Sequence, residues 1–293
     1  MDKHLLVTLG GDTASSLSLR YVRGFFSNPG EVKLTLLYVV PKRYEEQSEL
    51  TVNVEAPEGG VMTCSPVNPE VHCAACQAVL DLGRQWLVDM GFPSSNVFTK
   101  LIANQRGTVR DIAHEATRGL YDAVVLGRRG LSWFDEMFSD SVSHQMLWEA
   151  VDFPVWICRD PEFHRTGVLV CADGSEQSLR VADHVGFVLR GEPRHKVVIC
   201  HIDTENGADR EAILRATREA LLDAGMEPER IKVVTVAAKD PVKAILSEAE
   251  RGAYAAVAIG RRTGKPTGLT RIFGQVSLKL LRGLSKSALW LCK

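Results

Sequence analysis

The chain has 293 residues, which is enough for two domains, because single hydrophobic cores rarely grow far beyond about 250 residues. A hydrophobic fraction of 45% and a charged fraction of 24% are typical of a globular protein. The net charge of -1 argues against a protein that binds nucleic acid or an anionic membrane, and no apolar run approaches the roughly 20 residues that cross a bilayer. The apolar run in MDKHLLVTLGG is too short for a signal sequence, so we expect a cytoplasmic protein.

The first predicted elements are two strands, in HLLVTLGGD near His4 and in VKLTLLYVV at residues 32–40. An insertion follows at residues 43–76, where several prolines and glycines predict a loop. It lies at the C-terminal end of the second strand, the side on which open α/β sheets bind ligands. Two interpretations remain open, a lid over a ligand and an excursion of the surface.

A glycine loop follows the next apolar run, YDAVVLG. It reads GRRGLSWFDEMFSDSVS, from Gly127 to Ser143, and precedes another strand, PVWIC (Pro154–Cys158). A strand that ends in glycine before a new helix can bind an anion, because backbone N–H groups and the helix dipole point toward the carboxyl edge of the sheet. The arginines could donate to phosphate. In the alternative interpretation, the glycine ends the strand and the arginines are solvated.

The second half follows a short polar junction at residues 159–166 and repeats this plan. Apolar runs bounded by turn residues predict strands at Val168–Ala172, Lys196–Ile202, Ile231–Val236, Val257–Ile259 and Ala288–Cys292. Helical spacing predicts helices at Gln177–Leu189, Ala208–Ala224, after the capping residue Asp240, and at Gln275–Arg282.

The two halves are a duplication. RGLYDAVVLGRR (Arg118–Arg129) and RGAYAAVAIGRR (Arg251–Arg262) are identical at eight of twelve positions. Strands that alternate with helices predict an α/β fold with parallel sheets. We therefore predict two tandem domains, 1–160 and 161–293, each an open five-stranded parallel sheet flanked by helices. We expect a pseudo-twofold relation between them, with the apolar fifth strands PVWIC and ALWLC paired with each other.

One family shares these features. A first strand ending in Asp, a second strand like LLYVV, and the spacing G-x-x-G-(nine residues)-G-Ser before the last helix resemble the universal stress proteins. The resemblance covers nearly the whole chain and implies a sheet order of 3-2-1-4-5. In one branch of the family, it implies ATP bound between the first-strand Asp and the glycine loop.

The second copy carries the more complete set of residues for such a site. Asp173 is present, and Gly264 and Gly274 are separated by nine residues, although Thr263 lengthens the loop and Gln275 replaces the serine. The nucleotide site that the resemblance implies consists of Ala172, Asp173, Ile202, Gly260, Arg261, Arg262, Gly264, Gly274, Gln275, Val276 and Ser277.

The first copy departs further from the family pattern. Gly10 stands in place of the first-strand Asp, and Asp140 replaces the glycine before Ser141, which brings a carboxylate toward the phosphates. We expect it to form a weaker second site. Its residues are Val39, Gly127, Arg128, Arg129, Gly130, Ser141, Val142 and Ser143.

Seven cysteines, an odd number, argue against a closed disulfide framework. His72, Cys73 and Cys76, with Cys64 upstream, could bind a metal or form a redox dithiol, but they lack a second C-x-x-C pair. We interpret this segment as helical and predict no metal.

The sequence shows no catalytic constellation. The resemblance therefore implies a stress-response regulatory protein that binds ATP or another adenine nucleotide and is not an enzyme. Its partners would be the nucleotide and its own second domain, with a homodimer left open. The alternatives are a slow ATPase or adenylate-processing enzyme, and a ligand-free dimerisation scaffold.

Overall fold

A computed structural model describes residues 2–10, 16–40, 52–55, 61–64, 69–127, 151–158, 162, 164–204, 209–261 and 271–293. The chain divides into two compact units, Met1–Trp133 and Phe134–Lys293. The predicted domain boundary, at residue 160, lies later in the sequence than the division between these two units, and it stays a prediction. The architecture is α/β, as predicted, and most of the paired strands in each unit are parallel.

The first unit contains six strands and three helices among its described residues. They are β1 (Lys3–Leu9), α1 (Ser16–Phe25), β2 (Val32–Val40), β3 (Val52–Glu55), β4 (Val61–Cys64), α2 (Pro69–Asp89), β5 (Val97–Ala103), α3 (Thr108–Gly119) and β6 (Ala123–Leu126). Four strands form a parallel sheet in the order β5-β2-β1-β6. Leu5, Leu6 and Val7 of β1 are fully buried, as expected for a parallel strand whose two faces are both covered.

The insertion at residues 43–76 is not a loop throughout, and that prediction was wrong at two places. Strands β3 and β4 pair antiparallel, with Val52 opposite Cys64, and α2 already begins at Pro69. Valine alternates with polar residues in TVNVE, a spacing that favours a strand, and the glycines and Pro57 lie between the two strands. Proline is also well suited to the first turn of a helix, where its missing N–H is not needed.

The second unit contains six strands and four helices among its described residues. They are β7 (Val155–Ile157), β8 (Val168–Cys171), α4 (Glu176–Leu189), β9 (Val197–Asp203), α5 (Arg210–Asp223), β10 (Ile231–Ala237), α6 (Pro241–Arg251), β11 (Ala256–Gly260), α7 (Arg271–Gly283) and β12 (Ala288–Cys292). Strands β10-β9-β8-β11-β12 are parallel and follow the order 3-2-1-4-5 that the family resemblance implies.

Strand β7 extends this sheet by pairing antiparallel with β12. Trp156 lies opposite Trp290, and Ile157 lies opposite Leu289. The predicted pairing of PVWIC with ALWLC is therefore present. Both tryptophan side chains are completely buried, so the pair forms part of the core of the second unit.

The helix ends agree with their sequence signals in one case and differ in another. Asp240 caps α6 as predicted, because its carboxylate accepts hydrogen bonds from the N–H groups of Val242 and Lys243. The last helix, predicted at residues 275–282, begins four residues earlier, at Arg271. Ile272 and Phe273 continue the apolar helical spacing toward the N-terminus, which outweighs the low helix propensity of Gly274.

The duplication extends to one side-chain contact. The Tyr121 hydroxyl donates a hydrogen bond to Glu115 at 3.1 Å, and the Tyr254 hydroxyl donates to Glu248 at 3.0 Å. In each copy the tyrosine lies just after the helix that carries the glutamate, so the bond ties the helix to the following strand. The cations differ, because Lys100 pairs with Glu115 whereas Arg251 pairs with Glu248.

Candidate functional site

The candidate site lies where the strand order of the second unit reverses. Strand β8 has β9 on one side and β11 on the other. Strands β9 and β10 are therefore added on one side of β8, and β11 and β12 on the opposite side. A crevice at the carboxyl ends of two such strands is the usual ligand site of an open α/β sheet. Asp173 follows β8 at this edge, and Gly260 ends β11.

Asp173 is held at the sheet edge by a tight turn. Its carboxylate accepts hydrogen bonds from the backbone N–H of Ser175, at 2.9 Å, and from the Ser175 hydroxyl. Ser175 in turn caps α4 by accepting a bond from the N–H of Ser178. Gly174 has a φ of +79°, and a Cβ there would lie 2.8 Å from Ile213, so glycine is needed between them. The carboxylate nevertheless remains exposed to solvent beside a helix N-terminus.

The ends of β8 and β9 are joined by a histidine that sequence reasoning missed. His201 is buried, and its Nδ1 lies 2.8 Å from the carbonyl oxygen of Ala172. The next residue, half-buried Ile202, is the predicted contact for a base. Only this adjacency to Ile202 could have drawn attention to His201, since its spacing matches no catalytic or metal-binding motif.

Gly260 is required by the packing of the sheet against α4. A Cβ at this position would lie 2.7 Å from the carbonyl carbon of Gln177 and 2.8 Å from the N–H nitrogen of Ser178. The first turn of α4 therefore approaches the end of β11 as closely as the backbone allows. This close approach explains why the strand ends in glycine.

Arg261 is buried instead of exposed at the end of β11. Its side chain is buried, with 4% of its surface exposed, and its guanidinium donates a hydrogen bond to the carbonyl oxygen of Val151. Its backbone N–H donates to the carbonyl oxygen of Cys292 at 2.6 Å. Burial lowers the pKa of Arg261 to about 10, so the group stays charged at neutral pH. Its predicted contact with phosphate stays a prediction, and it requires the bond to Val151 to break.

The remaining residues of the predicted site are partly described. Gly274, Gln275, Val276 and Ser277 lie inside α7, because the helix begins at Arg271, and Ser277 is buried. The N–H groups of the first helical turn, up to Gly274, have no acceptor within the helix. Because α7 connects β11 to the parallel strand β12, this turn belongs to the carboxyl side of the sheet. Arg262 and Gly264 lie outside the described residues.

The first copy offers only two described residues of its predicted site. Val39 is half-buried near the end of β2, and Gly127 is buried just after β6. The other predicted residues lie outside the described part of the chain, namely Arg128, Arg129, Gly130, Ser141, Val142 and Ser143. The geometry of the weaker site therefore stays a prediction.

Among the cysteines whose side chains are described, Cys171 is half-buried and the others are buried. Burial raises the pKa of the Cys200 thiol to about 12, which keeps it protonated and weakly nucleophilic. Cys76 is buried within α2. Within the described ranges, no group of three or more His, Cys, Asp or Glu side chains is placed to hold a metal ion.

None of the described helices is both long enough and apolar enough to cross a membrane.

Comparison with known proteins identifies relatives of this fold. Residues 165–290 match the model of the Universal stress protein family. A universal stress protein from Archaeoglobus fulgidus DSM 4304 aligns with a TM-score of 0.68 at 21% identity, over 99% of this chain and 98% of that one. A protein from Pseudomonas aeruginosa UCBPP-PA14, described as a universal stress protein, aligns with a TM-score of 0.51 at 15% identity, over 100% of this chain and 93% of that one. No curated protein sequence matches the chain.

Proposed function

Because residues 165–290 match the model of the Universal stress protein family, we propose that the chain is a stress-response regulatory protein. Its second unit binds ATP or another adenine nucleotide at the carboxyl edge between β8 and β11. The observation that carries this proposal is the position of Asp173, whose exposed carboxylate stands at the strand-order reversal beside Gly260.

The residues around this crevice fit the two ends of a nucleotide. The Asp173 carboxylate can accept hydrogen bonds from a ribose hydroxyl or from the amino group of a base. The backbone at Ile202, on the neighbouring strand, can contact the base edge. Phosphates fit the N-terminal turn of α7, where backbone N–H groups and the helix dipole favour an anion.

Binding without dedicated catalysis is the form of this function that the side chains favour. Asp173 and His201 each already hold a local hydrogen bond, to Ser175 and to Ala172 respectively. Arg261 bonds Val151. A base activates a nucleophile by bonding to its hydroxyl or thiol. Among these bonds, only the one at Asp173 involves a hydroxyl, and that hydroxyl, of Ser175, caps α4.

The experiment that tests nucleotide binding is release of bound ligand. Protein purified from cells at physiological salt is denatured, and the supernatant is analysed for adenine nucleotides. We expect close to one adenine nucleotide for each second unit, or binding of added ATP if the nucleotide is lost during purification. Protein that carries no nucleotide and binds no added ATP contradicts the proposal.

A ligand-free scaffold is the second candidate function, and one observation favours it. The guanidinium of Arg261 is buried against Val151 instead of facing the crevice, so the phosphate end of the site has one cation fewer than the sequence suggested. In this case the same denaturation experiment releases nothing, and Asp173→Ala leaves the properties of the protein unchanged.

A further inference from the structure

The outer strand of the second unit, β10, has an open edge. Among the described strands, β10 has a hydrogen-bonded neighbour, β9, on one side only. Its seven residues pair in an unbroken register with β9, from Ile231 opposite Val197 to Ala237 opposite Asp203, so no bulge twists the edge away. An unbroken strand edge of this length is a template for pairing with another chain.

The composition of β10 favours pairing with another strand. Lys232, Val233, Thr235 and Ala237 are exposed. Val233 is 48% exposed, and no other large hydrophobic side chain among the described residues of the second unit is exposed. The strand contains no proline, and Lys232 is its only charged residue. These features leave the edge only weakly protected against association.

We propose that β10 pairs antiparallel with β10 of a second copy of this chain, in a symmetric dimer in which Val234 lies opposite Val234. This inference is independent of the nucleotide site. The register follows from strand length, since centring the pair on Val234 lets all seven residues of each strand take part. Lys232 then lies opposite Val236 of the second copy, and Val233 lies opposite Thr235. A register centred on Lys232 would instead set two ammonium groups face to face, which is destabilising.

The charges around the edge complement this arrangement. A pocket of about 520 Å³ opens between β10 and α6, and its charged lining residues are Asp240, Lys243, Glu248 and Arg251. Glu248 is already paired with Arg251, so Asp240 is the carboxylate of this lining that a new cation could approach. Lys232 of the second copy stands opposite Val236, on the same face of the sheet, so its ammonium group reaches the mouth of this pocket. The Asp240 carboxylate is half exposed there and holds Lys243 only loosely, at 4.0 Å.

A second charge pair points to the same register. Glu229 precedes β10 and Lys239 follows it, and both side chains are exposed. In a pair centred on Val234, Glu229 of one copy faces Lys239 of the other. Because the dimer is symmetric, each favourable pair occurs twice. No ion pair joins Lys232 to another described residue within one copy, so this cation is available to the partner.

The register can be tested by cross-linking the full chain. Val234→Cys places two thiols opposite each other, at the separation that a disulfide needs. We expect mild oxidation to convert this variant into a covalent dimer of two 32.3 kDa chains. Val233→Cys is the matched control, because its side chain is more exposed yet faces Thr235 of the second copy. It should cross-link at least about tenfold more slowly, and wild type gives the background from the native cysteines.

A second measurement does not depend on cysteine chemistry. Sedimentation velocity of the wild type should show a dimer that dissociates on dilution. Lys232→Glu brings a glutamate against Asp240 of the other copy and should weaken the dimer about tenfold, whereas Lys279→Glu, an exposed lysine on α7, should not. A wild type that stays monomeric overturns the proposal. Equal cross-linking of the two cysteine variants overturns it as well, since it shows collision without a defined register.

Discussion

Trp156 stacks on Trp290 with the ring centroids 4.0 Å apart and the ring planes at 3°. The two residues lie opposite each other in the antiparallel pair β7–β12, and both are fully buried. The indole N–H of Trp156 donates a hydrogen bond to Nε2 of His184 at 3.1 Å. These contacts therefore join two strands to helix α4.

Truncating this pair should destabilise the second unit strongly. Trp290→Ala removes a fully buried indole, and we expect a loss of about 3–5 kcal/mol in the free energy of unfolding. Urea denaturation followed by circular dichroism measures it. Phe98→Ala is the control, because that aromatic side chain is 47% exposed and should cost far less. Similar losses for the two variants would contradict the assigned role of the stack.

His184 should make stability depend on pH. Burial lowers its pKa from 6.5 to about 3, so the neutral ring is favoured in the folded protein. The unfolded chain therefore binds more protons between pH 6.5 and 3, and the stabilisation present above pH 6.5 is lost as the pH falls through this range. His184→Gln keeps an acceptor for Trp156 but does not titrate.

The measurement is urea denaturation of wild type and His184→Gln at pH 7 and pH 5. Wild type should lose about 1–2 kcal/mol more than the variant over this interval. Because other histidines titrate equally in both proteins, their effects cancel in the difference. Parallel pH profiles would show that His184 does not carry this dependence.

Gly260→Ala should disturb the contact between β11 and α4. The added Cβ would lie 2.7 Å from the backbone of Gln177, which cannot move independently of its helix. We expect a loss of about 1–3 kcal/mol in unfolding free energy. Gly30→Ala is the matched control, since its nearest neighbour, Asn28, lies 3.4 Å away. An effect of equal size at both positions would remove the argument for close packing.

Nucleotide binding should depend more on the second copy than on the first. Calorimetric titration with ATP should show most of the heat lost in Asp173→Ala, because losing a hydrogen bond to a charged group costs about 1.5–3 kcal/mol. A Gly127→Ala/Gly130→Ala variant should retain nearly all of the heat. The reverse pattern would assign the working site to the loop after β6.

The Cys73/Cys76 pair should be dispensable for ligand binding. Cys76 is buried in α2, and both residues belong to this helix, which begins within the last part of the insertion. We expect Cys73→Ser/Cys76→Ser to bind ATP as tightly as wild type, and metal analysis of wild type to find less than one zinc per chain. One tightly held metal per chain would make the insertion a functional module.

Sequence patterns determined the elements of this fold because those patterns are local. Continuous apolar runs such as Leu5–Val7 identified buried parallel strands, and Asp240 before Pro241 identified the start of a helix. The pairing of the fifth strands followed from their apolar edges and is present as Trp156 opposite Trp290. The candidate site was predictable as a location, since parallel strands bring their carboxyl ends to one edge, but its contacts stay predictions.

The tertiary structure alone decided how the residues at that edge are used. Gly260 is needed because α4, some eighty positions earlier in the chain, touches its backbone, and Arg261 turns inward because the Val151 carbonyl lies within its reach. His201 gained its position from the end of another strand. These contacts join residues that are distant in sequence, and no local propensity encodes which partner a side chain will meet once the sheet has closed.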